Sequence, residues 1–183
     1  MRTLIAAARG RLFALFCRYA RKNISVDRGL VMYCKLEIIG NGAVSIGRNC
    51  VISGAIGDSR HYVTIYTHDA NANVSIGENA RLYAARISSK FHIHIGNDFR
   101  MEDASIADTD FHSINSDRGV PTESLEKCRI RIGDRVSIGA RSVICKGTVI
   151  GDDVLVYPGS IVSKSVPSGS VVWGNPARRV GKM

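Results

Sequence analysis

A six-residue period constrains this chain more than any other feature. From Ile132 the sequence runs IGDRVS, IGARSV, ICKGTV, IGDDVL, VYPGSI and VSKSVP. The first position of each block holds Ile132, Ile138, Ile144, Ile150, Val156 and Val162, and the fifth holds Val136, Ser142, Thr148, Val154, Ser160 and Val166. Gly133, Gly139 and Gly151 take the second position. Neither an α-helix, with about 3.6 residues per turn, nor an alternating strand has this repeat. A triangular coil does, because one flat side plus one corner takes six residues. The aliphatic first residue then points inward and stacks on its counterpart one coil above. The fifth residue fills the tight inner corner, and a glycine after the aliphatic residue lets the backbone turn.

The same register runs earlier with interruptions. Ile46-Gly47 and Ile52, Ile76-Gly77 and Leu82, and Ile95-Gly96, Met101 and Ala107 all continue it. Ile46 to Ile76 is five hexads, and Ile76 to Ile95 is one coil plus one residue, so small insertions bulge from the coil without ending it. After Ala107 the register is lost through residues 108–131, a polar stretch with turn signals at Asp117-Arg118-Gly119 and Pro121. Loops inserted into a rigid scaffold are where binding and chemistry concentrate. The expected fold is all-β: a left-handed parallel β-helix of hexapeptide repeats over residues 24–183, with an N-terminal amphipathic helix over residues 1–23 and one inserted loop at 108–131.

The chain of 183 residues suits one domain with a single core. Its five cysteines are scattered and never form a CxxC pair, which suits a reduced compartment, the cytoplasm, and disfavours a disulfide framework or a zinc knuckle. The net charge of +9 calls for an anionic partner. Nucleic acid is the weakest candidate, since acids interrupt the basic residues through the body of the chain and no nucleic-acid module appears. The first segment differs: Arg2, Arg9, Arg11, Arg18, Arg21 and Lys22 occur there with no acid. Leu4, Ile5, Ala8, Leu12, Leu15, Phe16 and Tyr19 recur at helical steps. Three readings compete: a helix capping the open end of the coil, peripheral contact with an anionic membrane at its inner face, and a cleaved signal, which the arginines disfavour.

The run from Ile132 to Gly181, with its close PGSIVSKSVP…GNPARR, resembles the C-terminal half of hexapeptide-repeat acetyltransferases, among them galactoside, maltose, serine and polysaccharide O-acetyltransferases. Pro158 stands for the usual Ala, Ser163 for Thr and Arg178 for Lys. The resemblance implies acetyl-coenzyme A as cosubstrate and a homotrimer with each active site between neighbouring subunits. It implies that Ser163, Lys164 and Arg178 contact the cofactor. The segment Asp108-Thr-Asp-Phe-His112 is similar to the loop that carries the catalytic histidine in polysaccharide-modifying members, and no metal is expected.

Acetyl transfer to an alcohol needs a proton acceptor, an oxyanion donor and substrates held in line. A neutral histidine, with its ordinary pKa of about 6.5, suits the first task, and His112 is the candidate base. Asp108 or Asp110 then fixes its tautomer, as the acid of a serine-hydrolase triad does. His94, 18 residues before His112, would stand one coil away on the same corner and line the acceptor site. A backbone N–H near Gly139-Ala140 is the candidate oxyanion donor, because small residues there leave room for the thioester. Lys146, Lys164, Arg178 and Arg179 are candidates for the coenzyme phosphates, and Trp173 for packing on the cofactor or the last coil.

Two rivals remain. A γ-type carbonic-anhydrase-like metalloenzyme shares the fold, but its pair of zinc histidines five residues apart is missing among spacings of 7, 24, 2 and 18. A non-catalytic scaffold is the other, since fold does not fix function. The expected acceptor is a sugar hydroxyl of a surface polysaccharide or its precursor.

Overall fold

The computed structural model describes residues 1–54, 62–110 and 124–183. A helix, α1 (Arg2–Ala20), leads into coil one, made of β1 (Ile24–Val26), β2 (Val31–Met32) and β3 (Leu36–Ile39). Coil two is β4 (Ala43–Ile46), β5 (Val51–Ser53) and β6 (Val63–Thr67), and coil three is β7 (Asn73–Ile76), β8 (Arg81–Tyr83) and β9 (Arg86–Ser89). Coil four, β10 (His92–Ile95), β11 (Arg100–Glu102) and β12 (Ser105–Ala107), is followed by a one-turn helix, α2 (Leu125–Cys128). Coil five is β13 (Ile130–Ile132), β14 (Ser137–Ile138) and β15 (Val143–Ile144), and coil six is β16 (Val149–Ile150), β17 (Leu155–Val156) and β18 (Ile161–Val162). A hairpin, β19 (Ser170–Gly174) and β20 (Ala177–Lys182), closes the stack.

Every third strand stacks in parallel, giving three sheets. Sheet one runs β1-β4-β7-β10-β13-β16, sheet two β2-β5-β8-β11-β14-β17-β19-β20, and sheet three β3-β6-β9-β12-β15-β18. This is the left-handed parallel β-helix that the repeat predicts. Ile132 lies under Ile150, Ile138 under Val156 and Ile144 under Val162, so one coil takes 18 residues. The first-position residues are all buried, and so are the fifth-position ones, including Ser142, Thr148 and Ser160. Those hydroxyls are satisfied inside the corner: Ser160 Oγ donates to the Tyr157 carbonyl at 2.6 Å and Thr148 Oγ1 to that of Cys145 at 2.6 Å.

The second-position glycines serve a different purpose from the expected turn. Gly47, Gly77, Gly96, Gly133 and Gly151 stack on one corner with φ outside the left-handed region. A Cβ on Gly77 would lie 2.6 Å from the Gly96 carbonyl carbon, and one on Gly96 2.6 Å from that of Gly133. They are glycines because successive coils touch there, backbone to backbone. The turn itself falls two residues on, at Asn49, Asn79, Asp98, Arg135 and Asp153, with φ between 54° and 59°. Side chains lace this corner: Asn97 Oδ1 accepts the Glu78 N–H, Asp134 Oδ1 that of Asn97, and Asp152 Oδ1 that of Asp134, at 2.7–2.9 Å.

Insertions also differ from expectation. Ile46 lies directly under Ile76, so the five hexads between them make one coil plus an excursion between β5 and β6. There are thus two insertions, not one. The later one ends sooner than expected, since Ile130 and Arg131 already belong to β13.

α1 packs on the open end of coil one, and it does so with its small residues. Ala6, Gly10 and Cys17 are its buried residues, with Phe13 packed beside them. A Cβ on Gly10 would sit 1.9 Å from the Leu30 carbonyl oxygen, so helix and coil meet at backbone distance. Leu4, Ile5, Leu12, Leu15, Phe16 and Tyr19 stay exposed.

Candidate active site

The long insertion leaves the coil at the corner joining sheet three to sheet one, and its root is built from Asp108, Thr109 and Asp110. Asp108 is fully buried. Its Oδ2 accepts the Ser89 hydroxyl at 2.7 Å and the Phe91 N–H at 3.0 Å, and its Oδ1 accepts the Lys90 N–H at 2.7 Å. The carboxylate therefore anchors the insertion to the corner of coil three directly beneath. Asp110, two residues on, forms an ion pair with Lys146 of coil five. The register of β15 on β18 puts Lys164 one coil above Lys146 on the same corner. Burial, and after it the Asp110 charge, raises the Cys145 thiol above its ordinary pKa.

His112 and His61 lie outside the described residues. His94 is exposed on β10, its Nδ1 2.8 Å from Ser75 Oγ of the coil below. The strand above β10 is β13, which sets Arg131 over His94. The position one coil above His94, expected for His112, is therefore held by Arg131. His68 Nε2 lies 2.8 Å from Ser88 Oγ, and its ring stacks on Tyr66 at 6.3 Å.

Gly139 and Ala140 occupy the corner joining sheet two to sheet three, across a coil face from Lys146 and Lys164. The two sets edge the same face without converging. The Gly139 N–H is spent on the Val156 carbonyl at 2.9 Å, and a Cβ on Gly139 would lie 2.7 Å from the Pro158 ring, so neither a free donor nor open room exists at this residue. Ala140 is different. Its carbonyl accepts the Gly159 N–H at 2.8 Å, while its own N–H takes no partner among the described residues.

Ser163 and Lys164 are exposed on their corner. Arg178 and Arg179 lie on β20, where Arg178 pairs across the hairpin with Trp173 and Arg179 Nε donates to the Gly181 carbonyl at 3.3 Å. Beside them Tyr157, Pro158, Trp173 and Val180 enclose a cleft of about 300 Å³. Tyr157 and Val180 escaped sequence reasoning. The signal that could have found them is a large apolar side chain at an outward-facing repeat position, Tyr157, and a valine, Val180, seven residues after the lone tryptophan. Among the described residues no group of three or more His, Cys, Asp or Glu is arranged to hold a metal.

A family model described as bacterial transferase hexapeptide, six repeats, matches residues 129–164. Residues 129–164 of this chain are hexapeptide repeats of that kind. Among its relatives is WbbJ of Escherichia coli (strain K12), which carries the name of a lipopolysaccharide biosynthesis O-acetyl transferase and is 26% identical over 81% of this chain and 65% of its own length. The dTDP-3-amino-3,6-dideoxy-alpha-D-galactopyranose 3-N-acetyltransferase of Aneurinibacillus thermoaerophilus is 47% identical, over 25% of this hexapeptide-repeat chain and 23% of its own length. The matched segments thus span less than two thirds of these relatives. Among solved structures, a point mutant of the Bacillus cereus N-acyltransferase AntD, in complex with dTDP-4-amino-4,6-dideoxyglucose and coenzyme A, superposes with a TM-score of 0.66. It is 20% identical, and the superposition covers 86% of this chain and 82% of AntD.

Proposed function

We propose that this hexapeptide-repeat protein transfers an acetyl group from acetyl-coenzyme A to a hydroxyl of a saccharide, as a homotrimer with the acceptor site between subunits. The observation that carries the reading is the shared corner: the root of the His112 insertion is paired, through Asp110 and Lys146, to the foot of the Lys146–Lys164 column. The root of the insertion and an edge of the coil that carries two lysines thus belong to one ridge. Lys164, Arg178 and Arg179 supply charge for the coenzyme phosphates, and the Tyr157–Trp173 cleft a surface for its apolar parts.

In the proposed reaction the acceptor oxygen attacks the thioester carbonyl while His112 takes the hydroxyl proton. The oxyanion donor is the Ala140 N–H of the neighbouring subunit, brought across the interface, since within one subunit that corner and the root of the insertion do not converge. As the C–S bond breaks, the imidazolium returns the proton to the departing coenzyme A sulfur. Asp110 is the orienting acid of this scheme, because Asp108 is already engaged with the corner beneath. WbbJ, named for O-acetyl transfer, aligns over most of this chain, whereas the N-acetyl relative aligns over a quarter. That difference supports a hydroxyl acceptor, and the coenzyme A held by AntD on the same fold supports the cosubstrate.

A thiol-release assay with acetyl-coenzyme A and a panel of sugars and amino sugars tests the reading. His112→Ala should lower kcat by about two to four orders of magnitude, with coenzyme A affinity and assembly unchanged. Wild-type activity should rise with pH as the imidazole loses its proton, since the neutral ring is the working form. Retention of most of kcat by His112→Ala would overturn the base assignment. Turnover of amino sugars alone would overturn the hydroxyl acceptor.

A further inference from the structure

α1 is docked by its small-residue face, and what it leaves outward is unusual for a surface helix. Leu4 and Tyr19 are 76% and 78% exposed, and Ile5, Leu12, Leu15 and Phe16 are exposed with them. At about 100° per residue these six fill an arc of roughly 120°, centred opposite Ala6, Gly10 and Cys17. The same wheel sets Arg2 and Arg9 along one border of the arc and Arg11 and Arg18 along the other. All four are exposed, and none has an ion pair among the described residues. Arg21, by contrast, is committed to the coil, donating to the Gly40 carbonyl at 2.9 Å.

We infer that α1 is an in-plane docking helix for an anionic lipid bilayer. The apolar arc has the width of a face immersed to about 5–10 Å, and long arginine stems on both borders can lie along acyl chains while their heads reach lipid phosphates. Charge decides against the other occupants. Two α1 faces from separate copies would bring eight arginines together with no acid to pair them, because the first acidic residue of the chain is Asp27. An acidic protein surface would meet the arginines but leave a wide aliphatic and aromatic arc to cover.

Geometry then sets a height. α1 lies beneath coil one, and the insertion leaves after coil four, three coils up, or about 15 Å at the ordinary strand spacing. The proposed acceptor site would therefore address a sugar held clear of the headgroups. In a cyclic trimer built through the coil faces, all three helices lie at one end and dock together. The docking inference gains from that assembly without depending on it or on the acetyl-transfer reading.

The test is sedimentation of the full chain with two vesicle compositions, phosphatidylcholine alone and phosphatidylcholine with phosphatidylglycerol in equal parts. Binding is expected only to the anionic vesicles and should weaken as salt is raised. Arg11→Gln/Arg18→Gln should lower the partition coefficient about tenfold or more, as each arginine near such a surface contributes about fivefold. Leu12→Glu/Phe16→Glu should abolish it. Both variants alter exposed side chains, so circular dichroism, assembly state and thiol release on a soluble acceptor should match wild type. Absence of vesicle binding by the folded wild type would overturn the inference. So would equal binding to both vesicles, or dissociation of the assembly by Leu12→Glu/Phe16→Glu, which would mark the arc as a contact between copies.

Discussion

Replacing Asp108 by asparagine keeps the size of a buried side chain but changes what it can accept. Among the described residues the carboxylate takes the Ser89 hydroxyl and Phe91 N–H at Oδ2, and the Lys90 N–H at Oδ1. The best an amide can do is set its oxygen where Oδ2 lies, keeping two neutral bonds. Its NH₂ group then faces the Lys90 N–H, donor against donor. Hydrogen bonds to a charged group contribute about 1.5–3 kcal/mol each, and a buried donor left unmet costs about 1–3. Losing one such bond outright and weakening two predicts destabilisation of about 2–4 kcal/mol. For a chain of this size that corresponds to a Tm drop of roughly 5–15 °C. Thermal unfolding followed by circular dichroism measures it, with Asp110→Asn as the matched control. Asp110 is about half exposed and its pair with Lys146 is open to solvent, so its loss should move Tm by no more than about a few degrees. Ser89→Ala combined with Asp108→Asn should be less than additive, because the two share a bond. If Asp108→Asn melts within about 1 °C of wild type, against the drop expected above, the anchoring argument is wrong.

Three further outcomes follow from geometry already described. Gly96→Ala should destabilise by about 1–3 kcal/mol in denaturant titration, because its Cβ would lie 2.4 Å from Asp134 Oδ1 and 2.6 Å from the Gly133 carbonyl, and coils cannot part without loosening the core. A thiol reagent should find at most two reactive cysteines in the native protein, the half-buried Cys34 and Cys145, and all five after unfolding. Cys50, whose thiol burial pushes up to about 11, should be among the silent ones, and its labelling at the rate of Cys34 would mean the coil opens. Lys164→Ala and Arg178→Ala should each raise the KM for acetyl-coenzyme A, more so at high salt, and leave the acceptor KM little changed. Equal effects on both substrates would make these residues structural.

The core of this fold was legible because the aliphatic column from Ile132 to Val162 repeats without a gap, and a side chain that must point inward every sixth residue has few substitutes. What stayed hidden shares a physical cause: sequence patterns report residue type but not what lies one coil away. A glycine needed for a left-handed turn and a glycine needed for close stacking look the same, so the column from Gly47 to Gly151 was assigned to the turn made by Asn49, Asn79 and Asp98. The 12 residues by which the step from Ile46 to Ile76 exceeds one coil are a multiple of the period, so the excess passes as two more hexads. In α1 the helical recurrence of the larger apolar residues does not say which face meets the coil; Ala6, Gly10 and Cys17 do, because only small side chains let the helix axis approach it. The candidate site was legible as a cluster of types near a break in register. Which atoms were free was not: the Gly139 and Ala140 amides are neighbours in sequence, and only a view of Val156 shows that one is taken.

A stack of coils has no natural length. Each added turn presents the same three strands upward that it received from below, so nothing inside the repeat says where to stop, and the bare end of one molecule is a template for the end of the next. Here α1 blocks that template at the first coil, and the reversal of β20 on β19 turns one of the sheets back on itself at the last. Seen this way α1 and the β19–β20 hairpin act as stops on the two ends of the stack. The backbone-distance contact of Gly10 with Leu30 is then what lets α1 lie close enough to cover the first of those templates.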